Sequence, residues 1–344
     1  MPLAELDPLT VPLSFAATQG AQSREARALR RAVAAGTVVR VRRGVFVDSP
    51  TWDALDAGGR LVLRTRAVVL GSTRSVASHG SAVALHDLPR VDRAADRVSV
   101  IDPRRTTTKT SVTLRTRPGP VPDEEVVVLS DVRVTSLERT AVDVARTAPF
   151  ADAVMCVDAV LRRLVLPHGH RTGPEVESAL ARLRAFLLHA VCEGDGPGQA
   201  AARRAISFAS PWAENGGESL VRVVLHELGV STPELQREFV VASGTARCDF
   251  YDAAHLAVLE LDGFGKYADA ALRGGRTAAE VVRDEKRREA ELLERADVRT
   301  VVRVEYRDLV DPQRLARLLG RAGISVDPRR VTAAARAARL RFAS

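Results

Sequence analysis

The sequence has few aromatic residues, few cysteines and almost no lysine. Aromatic side chains make up 4% of the 344 residues, so a folded core must be built mainly from Val, Leu and Ala. The three cysteines, Cys156, Cys192 and Cys248, are widely spaced, and no Cys/His pair has the spacing of a zinc site. We therefore expect no structural zinc site, no disulfide framework, and a reducing, cytoplasmic setting.

Long apolar runs are also lacking. No run approaches the roughly 18–20 apolar residues that a membrane span needs. The apolar runs, such as 68–70 and 126–129, are the size of strands. The first ten residues contain two acidic residues and no basic one, unlike the charged start of a signal peptide. We expect neither a membrane span nor a signal peptide.

Basic charge is abundant, and nearly all of it is arginine. The formal net charge is +8, and only three of the 51 basic residues are lysines. A basic balance of this size indicates a polyanionic partner, nucleic acid first and an anionic membrane surface second. Arginine together with abundant Ala and Val is also typical of a GC-rich genome. The positions of the arginines are therefore more informative than their number.

The first segment, residues 1–50, combines an arginine-lined helix with a basic hairpin. The helix begins near Ser23, carries an apolar stripe opposite its arginines, and ends at Gly36. Two short β-branched runs follow, joined by Arg42-Arg43-Gly44. A winged helix-turn-helix uses such a helix in the major groove and such a hairpin on phosphate or the minor groove. The candidate DNA-binding residues are Arg24, Arg27, Arg31, Arg40, Arg42 and Arg43.

Three motifs in this order resemble AbiEi-type antitoxins, the antitoxins and autorepressors of type IV toxin–antitoxin systems. They are the basic helix and hairpin at 30–47, Ser-His-Gly-Ser-Ala-Val at 78–83, and the run at 134–143. The resemblance covers roughly residues 10–205. It implies an α/β region after the winged helix, autorepression on double-stranded DNA, and a cognate toxin protein as partner. His79 and Asp143 lie in these motifs. We expect a capping or packing role for His79, because no nucleophile lies at a recognisable spacing, and we expect Asp143 to anchor its helix or a nearby arginine.

Carboxylates end two neighbouring predicted strands in the segment 211–325. Asp249 ends one strand, and Glu260 follows eleven residues later. Asp262 shares a face with Glu260 because strand side chains alternate, and Glu218 lies on the preceding helix. Carboxylates in an apolar strand repel one another and lose hydration unless a cation is present. The residues therefore predict a Mg²⁺ site that activates water, with ligands Asp249, Glu260, Asp262 and Glu218.

This pattern is similar to the restriction-endonuclease-like superfamily, PD-(D/E)xK, and to its very-short-patch-repair branch. The similarity covers about residues 214–320. It implies a mixed sheet flanked by helices, metal ligation by Asp249 and Glu260 with support from Glu218, and phosphate contacts near Lys266, Lys286 and Arg287.

Two positions depart from that motif. Cys248 stands at the proline position, and Asp262 stands at the position of the lysine that orients the attacking water. A lysine elsewhere must then replace it, and two of the three lysines fall in this segment. The candidate catalytic residues are Asp249, Glu260, Lys266 and Lys286.

Together these features predict a multidomain α/β (α+β) protein. The expected domains are a winged helix over 1–50, an AbiEi-antitoxin-like region over 51–205, a restriction-endonuclease-like domain over 211–325 and a basic tail over 326–344. One function is a transcriptional regulator or antitoxin-like protein that carries a nuclease fold. The alternatives are a Mg²⁺-dependent DNA endonuclease in defence or repair and a non-catalytic protein-interaction module. A nucleotidyltransferase-like toxin encoded next to this gene would favour the first, and the oligomeric state stays open.

Overall fold

The computed structural model describes residues 6–16, 24–91, 97–170, 172–193, 196–262 and 278–342. The chain divides into two compact units. Unit 1 comprises residues 1–147, 190–202 and 344, and unit 2 comprises residues 148–189 and 203–343. Both units combine helices with β-sheet, which confirms the expected α/β class. The boundary at 147/148 falls inside the predicted segment 51–205.

Unit 1 holds two sheets and the helices between their strands. Its elements in chain order are β1 (Ser14–Phe15), α1 (Arg24–Ala34), β2 (Val38–Arg42), β3 (Val45–Asp48), α2 (Ser49–Ala54), α3 (Ala57–Leu70), β4 (Val76–Ala77), α4 (His79–Leu85), β5 (Val98–Ile101), β6 (Lys109–Thr110), β7 (Leu114–Arg117), β8 (Val126–Leu129), β9 (Val132–Thr135) and α5 (Leu137–Thr147). The first sheet has the order β1-β3-β2, and the second has the order β6-β7-β5-β4-β9-β8.

The small sheet is built on the predicted hairpin. Strands β2 and β3 pair antiparallel, and Gly44 between them has φ +79°, a left-handed conformation that glycine adopts without strain. The inward side chains of the hairpin pack on α3 and on the segment before it, in a cluster of Val11, Val47, Leu55 and Leu63. This packing fixes the hairpin on unit 1.

The large sheet forms the main core of unit 1. Helix α3 is apolar over most of its circumference and is largely buried between residues 59 and 69. It packs with α4 on the central strands, around Leu61, Val100 and Val134. Asp56 caps α3 by accepting a hydrogen bond from the Gly59 amide at 2.7 Å. The sequence predicts a helix over 55–70, and α3 fills this range from residue 57, after its cap at Asp56; the short helix α2 precedes it.

Unit 2 contains one four-stranded sheet with helices around it. Its elements are α6 (Phe150–Val165), α9 (Gly216–Leu228), β10 (Glu234–Val241), β11 (Gly244–Asp252), β12 (Ala257–Asp262), α10 (Ala278–Leu293), β13 (Thr300–Glu305), α11 (Tyr306–Val310), α12 (Pro312–Arg321) and α13 (Pro328–Arg341). Two more helices, α7 (Pro174–Glu193) and α8 (Gln199–Phe208), cross the residue boundaries of the two units.

The sheet of unit 2 is mixed. Strands β10, β11 and β12 are antiparallel neighbours, and β13 pairs parallel with β12. An apolar cluster joins the sheet to α10 and includes Phe239, Cys248, Val258 and Leu292. The carboxylates Asp249 and Glu260 therefore lie on neighbouring strands of one sheet.

Two features extend unit 2 beyond the predicted segment 211–325. Asp158 on α6 pairs with Arg222 on α9 at 2.5 Å, and both side chains are buried. The predicted basic tail forms α13, whose Ala334 and Ala338 are buried and whose Arg341 pairs with Glu227 at 2.5 Å. The small alanine side chains let α13 lie closely on its neighbours.

No helix in the described part of the chain combines the length and the apolar character that crossing a membrane requires.

Candidate functional site

The predicted DNA-binding arginines of unit 1 lie on α1 and on the hairpin. All six are exposed: Arg24, Arg27, Arg31, Arg40, Arg42 and Arg43. The apolar side of α1 is shallow, because Ala26 and Leu29 are half-buried and Val33 is 43% exposed. Helix α1 therefore offers most of its circumference to solvent. The predicted N-cap, Ser23, lies outside the described residues.

Arg42 differs from the other five arginines. Its Nη1 donates hydrogen bonds to the backbone carbonyls of Ala67 and Val68, at 3.4 and 3.2 Å. These carbonyls belong to the last turn of α3, where backbone acceptors lack partners within the helix. The structure therefore gives Arg42 an anchoring contact within unit 1. No side-chain partner within the described ranges is found for Arg24, Arg27, Arg31, Arg40 or Arg43.

The elements around α1 differ from a complete helix-turn-helix. In the stretch 6–16, the described part of the chain before α1, there is a turn and the short strand β1 but no helix. Strand β1 pairs with β3, and this adds a third strand to the hairpin. The structure thus shows one basic helix beside a three-stranded sheet.

In unit 2, Asp249 lies within β11, three residues before its end and not at the strand end that the sequence predicts, and Glu260 lies on the neighbouring strand β12. The Asp249 carboxylate accepts a hydrogen bond from the Leu261 amide at 2.8 Å. Burial and, to a smaller extent, the charges of Glu260 and Asp249 together raise the pKa of the Cys248 thiol to about 12. Both carboxylates are therefore close enough to the buried Cys248 thiol to affect its pKa, and they lie on neighbouring strands of this sheet.

Glu218 is buried and lies near Asp249. Its carboxylate accepts hydrogen bonds from the Glu214 amide at 2.7 Å, from Asn215 Nδ2 at 2.7 Å and from Gln236 Nε2 at 3.0 Å. Burial, with a smaller effect of the nearby charge of Asp249, raises its pKa to about 7. Asn215 in turn caps α9 through the Glu218 amide at 3.0 Å. The spacing of Asn215 and Glu218 is that of a capping box, a signal in the sequence that indicates this structural role.

Arginines neutralise the other two predicted metal ligands. Glu260 accepts a hydrogen bond from Arg288 of α10 at 2.6 Å. Asp262 lies 3.3 Å from Arg303, which also pairs with Glu289 at 2.7 Å. Sequence reasoning missed both arginines.

The described carboxylates do not by themselves fit a magnesium ion. Oxygen ligands are the kind that Mg²⁺ prefers, but within the described ranges no group of three or more His, Cys, Asp or Glu side chains is arranged to hold a metal ion. Glu218, Glu260 and Asp262 already have nitrogen donors as partners.

The structure describes one of the two candidate lysines, and that lysine is not beside the carboxylates. Lys266 falls outside the described residues. Lys286 lies at an exposed position of α10, and the cation on Glu260 is Arg288. Successive helical residues turn by about 100°, so positions 286 and 288 point about 200° apart. The helix therefore directs Arg288, and not Lys286, toward the sheet.

The motifs at 78–83 and 134–143 meet in a buried polar cluster of unit 1. His79 has φ +53°, which is strained for a residue other than glycine. Its Nδ1 lies 3.0 Å from Ser78 Oγ and 3.6 Å from Asp143 Oδ2. Burial lowers the pKa of His79 well below its ordinary value, and nearby arginines lower it further. In a catalytic triad, the nucleophile contacts one ring nitrogen of the histidine and the carboxylate contacts the other. Here Ser78 and Asp143 both approach Nδ1 of His79, so the three residues do not have that arrangement.

Asp143 anchors the second of these motifs. It accepts a hydrogen bond from Arg139 Nε at 3.0 Å, and Arg139 also pairs with Glu125. Burial raises the pKa of Asp143, and the arginine charges oppose the rise. The contact between Asp143 and Arg139 is the kind of anchoring contact that we expect for this residue from the sequence.

A search of protein-family models finds none that matches this chain, and a search of curated proteins also finds no match. The resemblances to AbiEi-type antitoxins and to restriction-endonuclease-like enzymes therefore rest on the short motifs alone.

Proposed function

We propose that this chain is a DNA-binding regulator of the antitoxin-like kind that its motifs resemble, and that unit 1 binds duplex DNA through α1 and the β2–β3 hairpin. One observation carries the proposal. Seven exposed arginines lie on these neighbouring elements, and no described carboxylate pairs with the five candidates Arg24, Arg27, Arg31, Arg40 and Arg43. A guanidinium that has no protein partner is available for a phosphate oxygen or a guanine edge.

Arginine-rich composition alone does not produce such a surface. In unit 2 many arginines have carboxylate partners, including Arg222, Arg288, Arg303, Arg314 and Arg341. The seven arginines between residues 24 and 43 face a single acidic residue in the sequence, Glu25. The unbalanced charge is therefore a local property of this segment and supports a polyanionic ligand there.

The dimensions of α1 suit the major groove. An α-helix with its side chains is about 10–12 Å across, which matches the groove width of about 12 Å, and the 11 residues of α1 run for about 16 Å along it. In the proposed complex, α1 contacts base edges and phosphates, and the hairpin tip at Arg43 contacts the adjacent backbone. Phosphate contacts set orientation and affinity, whereas contacts of α1 with base edges supply the sequence preference.

The proposal is tested by the salt dependence of duplex binding by the full chain. Replacing Arg40 and Arg43 with Ala should flatten the plot of log K against log salt by about one unit per lost phosphate contact. A matched control removes two exposed arginines of α12, with Arg317→Ala and Arg321→Ala, and should leave the slope unchanged. If the salt slope fell equally in both variants, only the net charge of the protein would matter for binding. An unchanged slope in the hairpin variant would refute the assignment of the hairpin as a DNA contact.

A Mg²⁺-dependent endonuclease is the second candidate. One observation favours it: the charge of Asp249 raises the pKa of the buried Glu218, a repulsion that a bound cation would relieve. The partners of Glu260 and Asp262 weigh against it. A plasmid-nicking assay with added Mg²⁺ decides between the two. Nicking that disappears in Asp249→Ala would establish the endonuclease, and no nicking by the native chain would leave unit 2 as a non-catalytic part of the regulator.

A further inference from the structure

A second basic surface lies on unit 1, apart in sequence from α1 and the hairpin. It is formed by residues 102–113, which connect β5 to β7 and include the edge strand β6; we call it the β5–β7 loop. From residue 97 to residue 117 the sequence has six basic residues and one acidic residue, Asp102. This stretch also includes Lys109, one of the three lysines of the whole chain.

The contacts of this loop leave its positive charge unbalanced. Asp102 Oδ1 accepts a hydrogen bond from the Arg104 amide at 3.1 Å and so closes the turn. Arg105 Nε donates to the Thr107 carbonyl at 3.2 Å, and Arg97 Nε donates to the Val112 carbonyl at 3.1 Å. Carbonyl partners hold these guanidinium groups in place without neutralising them. The side chains of Arg104 and Lys109 are exposed, and neither contacts a carboxylate in the described part of the chain.

The neighbouring strand adds to the positive field. Strand β7 pairs with β6 and carries Arg115 and Arg117 two residues apart, so both lie on one face of the sheet. Burial lowers the pKa of Arg117, and the charge of Arg115 lowers it further. The two guanidinium groups are therefore close enough to repel each other, although the charge of Asp143 opposes the fall in the pKa of Arg117.

We propose that the β5–β7 loop is a second contact surface for the phosphates of duplex DNA. The inference rests on the proposed function and extends it from the α1–hairpin surface to an additional segment of unit 1. Threonines 106, 107 and 108 lie between the loop's basic residues and are exposed, so hydroxyl donors accompany the cations. Arginine, lysine and hydroxyl groups are the usual partners of phosphate oxygens in protein–DNA complexes.

An acidic protein partner fits this loop less well. Stable protein interfaces are anchored by buried aromatic or apolar side chains and are depleted in lysine. Between residues 102 and 113 the large exposed apolar side chain is Val112, which is 86% exposed, and the segment has no aromatic residue. A polyanion recognised by its charge requires no such anchor.

The experiment measures binding of the full chain to a short duplex over a range of salt concentrations. The loop variant is Arg104→Gln with Lys109→Gln, which spares Arg97 and Arg105 because their carbonyl contacts shape the loop. We expect a slope about two units shallower than that of the native chain, with an unchanged thermal midpoint. The matched control is Arg317→Gln with Arg321→Gln, for which we expect the native slope.

The outcomes separate this inference from the proposed function. If the native chain binds with a steep salt slope and the loop variant keeps that slope, the second surface is refuted while the regulator proposal stands. If the native chain shows no salt-dependent binding to the duplex, the proposed function itself fails. If the loop variant loses affinity for polyglutamate but not for the duplex, the loop is a protein-binding surface and our assignment is wrong.

Discussion

At the scale of single residues, Arg42 and Arg43 are neighbours in the sequence but have different surroundings. Arg42 bonds two carbonyls at the end of α3, whereas Arg43 is exposed at the hairpin tip without a described partner. The sequence predicts DNA contacts for both because its pattern shows the charge and not the carbonyls 25 residues away. Arg42 therefore anchors the hairpin to α3, whereas Arg43 is available for the proposed contact with DNA.

We expect Arg42→Ala and Arg43→Ala to affect different properties. Arg42→Ala removes hydrogen bonds from a charged donor and should lower the free energy of unfolding by about 1 kcal/mol, with little change in the salt slope of duplex binding. Arg43→Ala should leave stability within about 0.5 kcal/mol of the native value and reduce the slope by about one. Urea unfolding and fluorescence anisotropy measure the two quantities, and the reverse assignment of effects would contradict the structure.

Glu218 provides a prediction about pH. Its folded pKa is raised from 4.5 to about 7 because burial outweighs the three hydrogen bonds that it accepts. Between these values the unfolded chain loses the proton first, so the contribution of this carboxyl to stability falls as pH rises and is constant above about 7. Unfolding of the native chain and of Glu218→Gln from pH 4 to pH 8 isolates this term. If the stability of the native chain relative to Glu218→Gln instead grew with pH, the hydrogen bonds to the carboxylate would outweigh the effect of burial on its pKa.

At the scale of elements, some contacts follow directly from sequence patterns. The β2–β3 hairpin, the β10–β11 hairpin and helix α9 form where alternation, turn residues and helical spacing predict them. The partner of Glu260 does not follow from spacing. Predicting Arg288 rather than Lys286 requires the orientation of α10 on the sheet, which is set by the burial of Leu292. Tertiary packing, and not local preference, selects the cation.

The buried pair Asp158–Arg222 is expected to fix α6 to α9. Asp158 also accepts a hydrogen bond from the Ser210 amide at 2.7 Å, so its removal leaves a buried guanidinium and an amide without their acceptor. Asp158→Ala should lower the free energy of unfolding by about 3–5 kcal/mol. The matched control is Asp284→Ala, which breaks the exposed pair with Arg287 and should cost about 0–1 kcal/mol. Equal effects in denaturant unfolding would contradict the structural role of the buried pair.

At the scale of the whole molecule, the α/β class is predictable from the sequence, but the division of the chain is not. The break at 194–198 suggests a boundary near 205, because glycine and proline interrupt helices. The observed units divide after residues 147, 189 and 202. The last division lies near this break, whereas the first places α6 with α9 in unit 2 through Asp158. Contacts between residues so distant in sequence leave no periodic signal. Likewise, α13 packs through its alanines, whereas the arginines of this segment predict only a basic tail.

The arginines of the two units have different kinds of partner. Unit 2 contains many arginine–carboxylate pairs, whereas in unit 1 the arginines of α1, the hairpin and the β5–β7 loop are exposed or bonded to backbone carbonyls. A long polyanion can contact such a surface at several points at once. We therefore expect duplex affinity to fall steeply with salt, in proportion to the number of phosphates contacted.

Amide hydrogen exchange of the full chain, with and without a saturating duplex, tests the central claim most directly. Contact with DNA should slow exchange of the backbone amides over residues 24–48, which span α1 and the hairpin, because bound phosphate and bases stabilise these exposed elements. Exchange over α12, residues 312–321, should be unchanged. Protection confined to unit 2, with none over residues 24–48, would contradict the account.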